Sequence, residues 1–175
     1  MPTDAPARRL FFALWPDEAT RHALAHATRK SVRGSGGRPV PPENLHATLL
    51  FIGPVATDRV AALEDAAGAV TLTQPFHLVI DQIEHWPRQG VLCATVSEAR
   101  DDAAALAAAL SRSVRKAGFL PDLKPFRPHV TVARKVVKPH SLGDIHPVDW
   151  RVEGFALMES ETLSEGSRYT VVRRW

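Results

Sequence analysis

Asn44-Leu45-His46-Ala47-Thr48-Leu49-Leu50-Phe51-Ile52-Gly53 reads as a buried strand that a histidine and a threonine interrupt. An unpaired polar group in an apolar layer costs about 1–3 kcal/mol, so both residues need a partner or a task. In a strand, residues i and i+2 point to the same face, which sets His46 beside Thr48. The pattern recurs 83 positions later as His129-Val130-Thr131, inside Pro125-Phe126-Arg127-Pro128-His129-Val130-Thr131-Val132-Ala133-Arg134. One His-x-Thr alone carries little weight. Two of them, each after a proline-containing segment and before apolar residues, suggest a duplicated strand whose copies face one another across a pseudo-two-fold axis.

Outward from these stretches, apolar periodicity divides the chain into strands and helices. Arg9 to Trp15 reads as a strand, and Pro16-Asp17-Glu18 opens an amphipathic helix that runs to about Val32. Glycine and proline crowd residues 34–42, which marks a loop. Thr57 or Asp58 caps a helix through about Val70. Phe76 to Trp86 and Gly90 to Val96 read as a hairpin about the turn Pro87-Arg88-Gln89-Gly90. An alanine-rich helix spans Glu98 to Ala117 and stops at Gly118. Val152 to Glu159 and Tyr169 to Trp175 form a terminal hairpin around Ser164-Glu165-Gly166-Ser167. Helix, histidine-bearing strand and hairpin thus occur in each half.

A chain of 175 residues with 45% hydrophobic content fits a single domain with a sizeable core. The apolar run near the start has no small-residue cleavage site, and no segment approaches the roughly 20 residues of a membrane span. The lone cysteine, Cys93, excludes an intramolecular disulfide and makes the cytoplasm the default location. A net charge of +3 suits a phosphate-bearing ligand without requiring one.

Two strands carrying His-x-Thr, set side by side, surround one cavity with two imidazoles and two hydroxyls. Near pKa 6.5, one imidazole can serve as base while the other, protonated, serves as acid. Threonine hydroxyls donate to an anionic oxygen without adding charge, which suits a phosphoryl group. No metal or other cofactor is needed when the substrate is already reactive, as a strained cyclic phosphate is. Spacing alone leaves open which histidine is the acid.

These motifs and their contexts, RLFFALWPD, VPPENLHATLLFIG, FRPHVTVAR and ESETLSEGSRYTVVRRW, resemble the 2H phosphoesterases, and the resemblance covers nearly the whole chain. The RNA 2′,3′-cyclic phosphodiesterase branch, also described as 2′-5′ RNA ligase-like, is the nearest resemblance. It implies an α+β, bilobal fold: two pseudo-symmetric lobes with antiparallel sheets lining a central cleft, helices outside, residues 1–175 forming one domain of intertwined lobes. It also implies metal-independent hydrolysis of a terminal 2′,3′-cyclic phosphate to a 2′-phosphate. In that branch His46 corresponds to the proton donor, His129 to the proton acceptor, and Thr48 and Thr131 to the phosphate-binding residues. RNA ends or small cyclic nucleotides would be the substrates of a monomeric enzyme. Two other readings remain: 2′-5′ RNA ligation at the same site, and a non-catalytic RNA- or nucleotide-binding module.

Phe51 and Arg134 each lie five positions after their histidine and are candidates for binding a base or a phosphate. An odd offset points to the opposite face of an ideal strand, so this pairing requires a bulge, a twist or the strand's end. His22 and His26, four apart on a helix, have no acidic partner at motif spacing and read as a solvated face. Arg8, Arg9, Arg38 and Arg127 supply a candidate basic rim.

Overall fold

The computed structural model describes residues 6–98 and 101–175. Its first strand, β1 (Ala7–Leu14), holds five consecutive buried residues, Leu10 to Leu14, because it is an inner strand covered on both faces. Alternation divides them: Leu10, Phe12 and Leu14 enter the main core, whereas Phe11 and Ala13 join a smaller cluster with Ala156 and Met158. Helix α1 (Glu18–Gly34) follows, capped by the Asp17 carboxylate, which accepts from the Thr20 amide at 2.7 Å. A two-residue strand, β2 (Arg38–Pro39), and a 3-10 turn (Pro42–Asn44) lead into β3 (Ala47–Ala56). The strand therefore starts one residue after His46, later than the sequence suggests.

A second 3-10 turn (Thr57–Arg59) precedes α2 (Val60–Gly68). The Thr57 hydroxyl donates to the Pro6 carbonyl, so neither it nor Asp58 caps that helix. Phe76 to Trp86 is two strands and not one, β4 (Phe76–Ile80) and β5 (Gln82–Trp86). Asp81 breaks the run: its amide donates to the Thr95 carbonyl and its carboxylate accepts from the Ser97 amide. β6 (Val91–Thr95) then completes the expected hairpin with β5.

Helix α3 (Asp101–Lys116) buries Ala103, Leu106, Ala107, Leu110 and Val114 at helical spacing. The expected start at Glu98 is not helical, and residues 99–100 lie outside the described set. Gly118, at φ +84°, closes the helix with the Phe119 amide on the Val114 carbonyl at 3.0 Å. β7 (His129–Arg134) follows a long irregular segment. The expected strand Val152–Glu159 is also divided, into β8 (Val148–Val152) and β9 (Ala156–Leu163), and β10 (Gly166–Arg174) ends the fold.

The sheets have the strand orders β10-β9-β1-β3 and β2-β7-β6-β5, with β4 and β8 forming a separate pair. Every described pairing is antiparallel. One His-x-Thr strand stands at an edge of the first sheet, and the other lies inside the second. One apolar cluster runs through both, from Leu10, Phe12 and Leu49 to Leu92, Val130 and Val132. Helix α1 packs on β7 and β8, while α3 packs on α2 and β3. No described helix is long and apolar enough to cross a membrane.

Candidate active site

The parity difficulty with Phe51 and Arg134 is resolved by bulges. On β3, Phe51 lies opposite Phe11 and Thr48 opposite Ala13; these partners are two residues apart, so an extra residue is inserted at Leu49. On β7, Arg134 lies opposite Val91 and Thr131 opposite Cys93, and Val132 is the extra residue. Both lobes thus turn two consecutive aliphatic residues, Leu49-Leu50 and Val132-Ala133, into the main core. The residue after each pair returns to the face of its threonine.

As a result His46, Thr48, Phe51, His129, Thr131 and Arg134 all line one cavity of about 420 Å³. Arg9, Phe11, Ser160, Thr162, Ser167 and Tyr169 complete its wall. It adjoins a chamber of about 220 Å³ that Arg38, Asn44, Lys135 and Glu165 line together with His46, Thr131, Arg134, Ser167 and Tyr169.

Each histidine is held by its own chain. His46 Nδ1 lies 2.7 Å from the Asn44 carbonyl, and His129 Nδ1 lies 2.8 Å from the Arg127 carbonyl. A carbonyl can only accept, so Nδ1 carries the hydrogen in both rings and each neutral Nε2 is left as an acceptor. His46 Nε2 lies 3.1 Å from Thr48 Oγ1. The two imidazoles are thereby set in the same tautomer by the same local device, the carbonyl two residues upstream.

Their surroundings differ. His46 stacks on Trp15 at 5.6 Å between ring centres and meets Tyr169 edge-on at 5.0 Å, with Phe11 at 5.2 Å. Burial pushes its pKa down to about 4, and the charges of Arg134 and His129 act in the same direction. His129 packs on Trp86 at 4.6 Å. Burial lowers its pKa as well, with help from the Arg127 guanidinium and against the Glu84 carboxylate. Burial raises the Cys93 thiol to about 11, which leaves it unreactive beside Thr131.

The expected basic rim is only partly available. Arg8 is spent on a bidentate pair with Glu159, at 3.0 and 2.7 Å, and Arg127 is paired with Glu84. Arg9 lies over the Phe51 ring at 5.1 Å, inside the cavity, and Arg38 lines the adjoining chamber. His22 and His26 are exposed on α1. Among the described residues, no cluster of three or more His, Cys, Asp or Glu is placed to hold a metal ion. Sequence reasoning missed Trp15, Trp86, Tyr169 and Glu84. Of these, Tyr169 was within reach, because it lies in the expected terminal hairpin, two residues past a serine-glycine turn.

The model of the 2′-5′ RNA ligase superfamily matches residues 15–162. The RNA 2′,3′-cyclic phosphodiesterase of Thermus thermophilus is 33% identical over 95% of this chain and 89% of its own length. The Escherichia coli protein of the same name is 30% identical, covering 96% of each. The crystal structure of E. coli LigT complexed with 3′-AMP superposes with a TM-score of 0.87 at 29% identity, over 97% of this chain and 98% of that one. That likeness gives the chain the bilobal 2H phosphoesterase fold, and both histidine strands lie within residues 15–162, which the family model matches. The chain belongs to the 2′-5′ RNA ligase superfamily.

Proposed function

We propose that this protein is a metal-independent hydrolase of terminal 2′,3′-cyclic phosphates on RNA or nucleotides, leaving a 2′-phosphomonoester. The observation that carries this reading is the pair of tautomer-fixed imidazoles lining one cavity, each beside its own threonine. His129 Nε2 takes a proton from water as the water oxygen bonds to phosphorus. The bond from phosphorus to O3′ breaks, and protonated His46 gives its Nε2 proton to the departing oxygen. Thr48 and Thr131 donate to the non-bridging oxygens, and Arg134 balances their charge. The names of the relatives support the substrate class. The continuous core supports residues 1–175 working as one domain of two intertwined lobes. We place the enzyme in the cytoplasm, acting as a monomer.

Incubation with a 2′,3′-cyclic mononucleotide and with a cyclic-ended oligonucleotide tests this directly. The expected product is the 2′-phosphate, at an unchanged rate in EDTA. A 3′-phosphate product, or activity lost in EDTA and restored by a divalent ion, would overturn it. A second reading, 2′-5′ ligation, has the adjoining 220 Å³ chamber in its favour, since a 5′-hydroxyl end there would replace water. A joined 2′-5′ product in the same incubation would establish that reading.

Phe51 serves as a stacking platform for the terminal base, its ring already carrying Arg9. Aromatic stacking on a base is worth about 1–3 kcal/mol, so Phe51→Ala raises KM for a cyclic mononucleotide by about fivefold or more. The value of kcat changes far less. An unchanged KM would remove the stacking role.

A further inference from the structure

The two lobes repeat the His-x-Thr strand and its bulge, but they differ in what stands beside it. Across β5, β6 and β7 the register forms rows. Thr95 lies opposite both Gln82 and His129, Cys93 opposite both Glu84 and Thr131, and Val91 opposite both Trp86 and Arg134. Directly opposite residues share a face, so Glu84 and Trp86 point to the side of the sheet that carries His129 and Thr131. In the other lobe the row of Thr48 continues through Ala13 and Ala156, and that of Phe51 through Phe11 and Met158. The lobe of His129 has a carboxylate where the lobe of His46 has only apolar side chains.

That carboxylate is fully engaged. Glu84 Oε2 accepts from the Trp86 indole at 3.0 Å, and Oε1 accepts from the buried Thr95 hydroxyl at 3.0 Å and from Arg127 at 2.5 Å. Two of these partners hold His129. Trp86 packs on its ring, and Arg127, whose guanidinium lies 5.4 Å from the Trp86 ring centre, offers its carbonyl to Nδ1.

We propose that Glu84 is a positioning residue for His129: it clamps Trp86 and Arg127 around the imidazole and stabilises the imidazolium that forms when Nε2 takes the proton from water. The inference rests on the hydrolase reading and supplies what the pseudo-symmetry withholds, a reason for His129 to be the base. The charged and titratable groups around His129 are Glu84 on β5, Cys93 on β6, Arg127 before β7, Arg134 on β7, and His46 across the cavity. Of these, Glu84 is the carboxylate. Its charge favours protonated His129, so removing it lowers the pKa of His129 and weakens the base.

The test pairs kinetics with NMR titration of the histidine C2 protons in wild type and in Glu84→Gln, which keeps shape and loses charge. The titration midpoint of His129 is expected to fall by about half a unit or more while that of His46 moves less. At neutral pH, kcat/KM falls about tenfold or more with KM within threefold. An unmoved His129 midpoint together with kcat/KM within twofold of wild type would overturn the proposal. Glu84→Ala removes all three hydrogen bonds and gives the larger loss. Should that variant fail to fold, the near-isosteric Gln variant still decides. Should the wild type leave cyclic phosphates untouched, the hydrolase reading falls, and the His129 midpoint still reports on Glu84.

Discussion

His129→Ala lowers kcat on a 2′,3′-cyclic nucleotide by about 10²- to 10⁴-fold, and His46→Ala does the same, because each removes one of the two proton transfers. The double variant loses less than the product of the two, since acid and base act on a single transition state. Steady-state rates of the three variants check this, and either single variant within tenfold of wild type would refute the paired-histidine mechanism. The pH dependence follows from the same site. His46 must be protonated to donate, and burial holds it at about 4; His129 must be neutral to accept, and burial holds it below its ordinary value. The productive form, His46 protonated and His129 neutral, therefore peaks in population between two lowered pKa values, as the minor of the two singly protonated forms, because His46 is the more strongly depressed ring. The kcat/KM profile is bell-shaped with its maximum below pH 6.5. A bound phosphodiester anion favours both protonated rings, so the kcat profile moves to higher pH. A kcat/KM optimum above pH 7 would contradict these surroundings.

Phe12→Ala costs about 3–5 kcal/mol of stability, the usual range for deleting a buried aromatic ring. Phe12 has no exposed surface, and its ring meets Phe155 at 6.3 Å and Trp175 at 6.1 Å. Neither β1 nor the C-terminal strand can collapse into the space, because both are fixed by pairing to β9. A loss of this size is a large share of the roughly 5–15 kcal/mol that holds a domain folded. For a chain of this length it lowers Tm by about 10 °C. Calorimetry or thermal circular dichroism checks it, and a Tm within 3 °C of wild type would mean that the cavity had closed.

The candidate quartet was legible because alternation is local: in extended chain His46 and Thr48, or His129 and Thr131, share a face whatever the strand pairs with. Tertiary pairing fixes the rest. A pair of aliphatics such as Leu49-Leu50 reads equally as a strand buried on both faces or as a bulge, and only the register with β1 distinguishes them. The division of Phe76–Trp86 at Asp81 was hidden because one aspartate in an apolar run says little until Ser97 and Thr95 stand beside it. Glu84 and Trp86 were hidden with it, since their facing residues lie on β6 and β7. Trp15 reads in the sequence as the end of a strand, whereas its ring stacks on that of His46.

The two bulges also mean that each lobe sets its cleft-facing residue by length as much as by identity. In both, a fixed count of two core residues separates the threonine of the motif from Phe51 or Arg134. Deleting one of them would leave hydrophobicity almost unchanged and rotate the distal side chain through half a turn, out of the cleft. Substitution at Leu49 or Val132 therefore trades packing for packing, whereas a single-codon deletion there removes from the cleft a residue that is still present in the sequence.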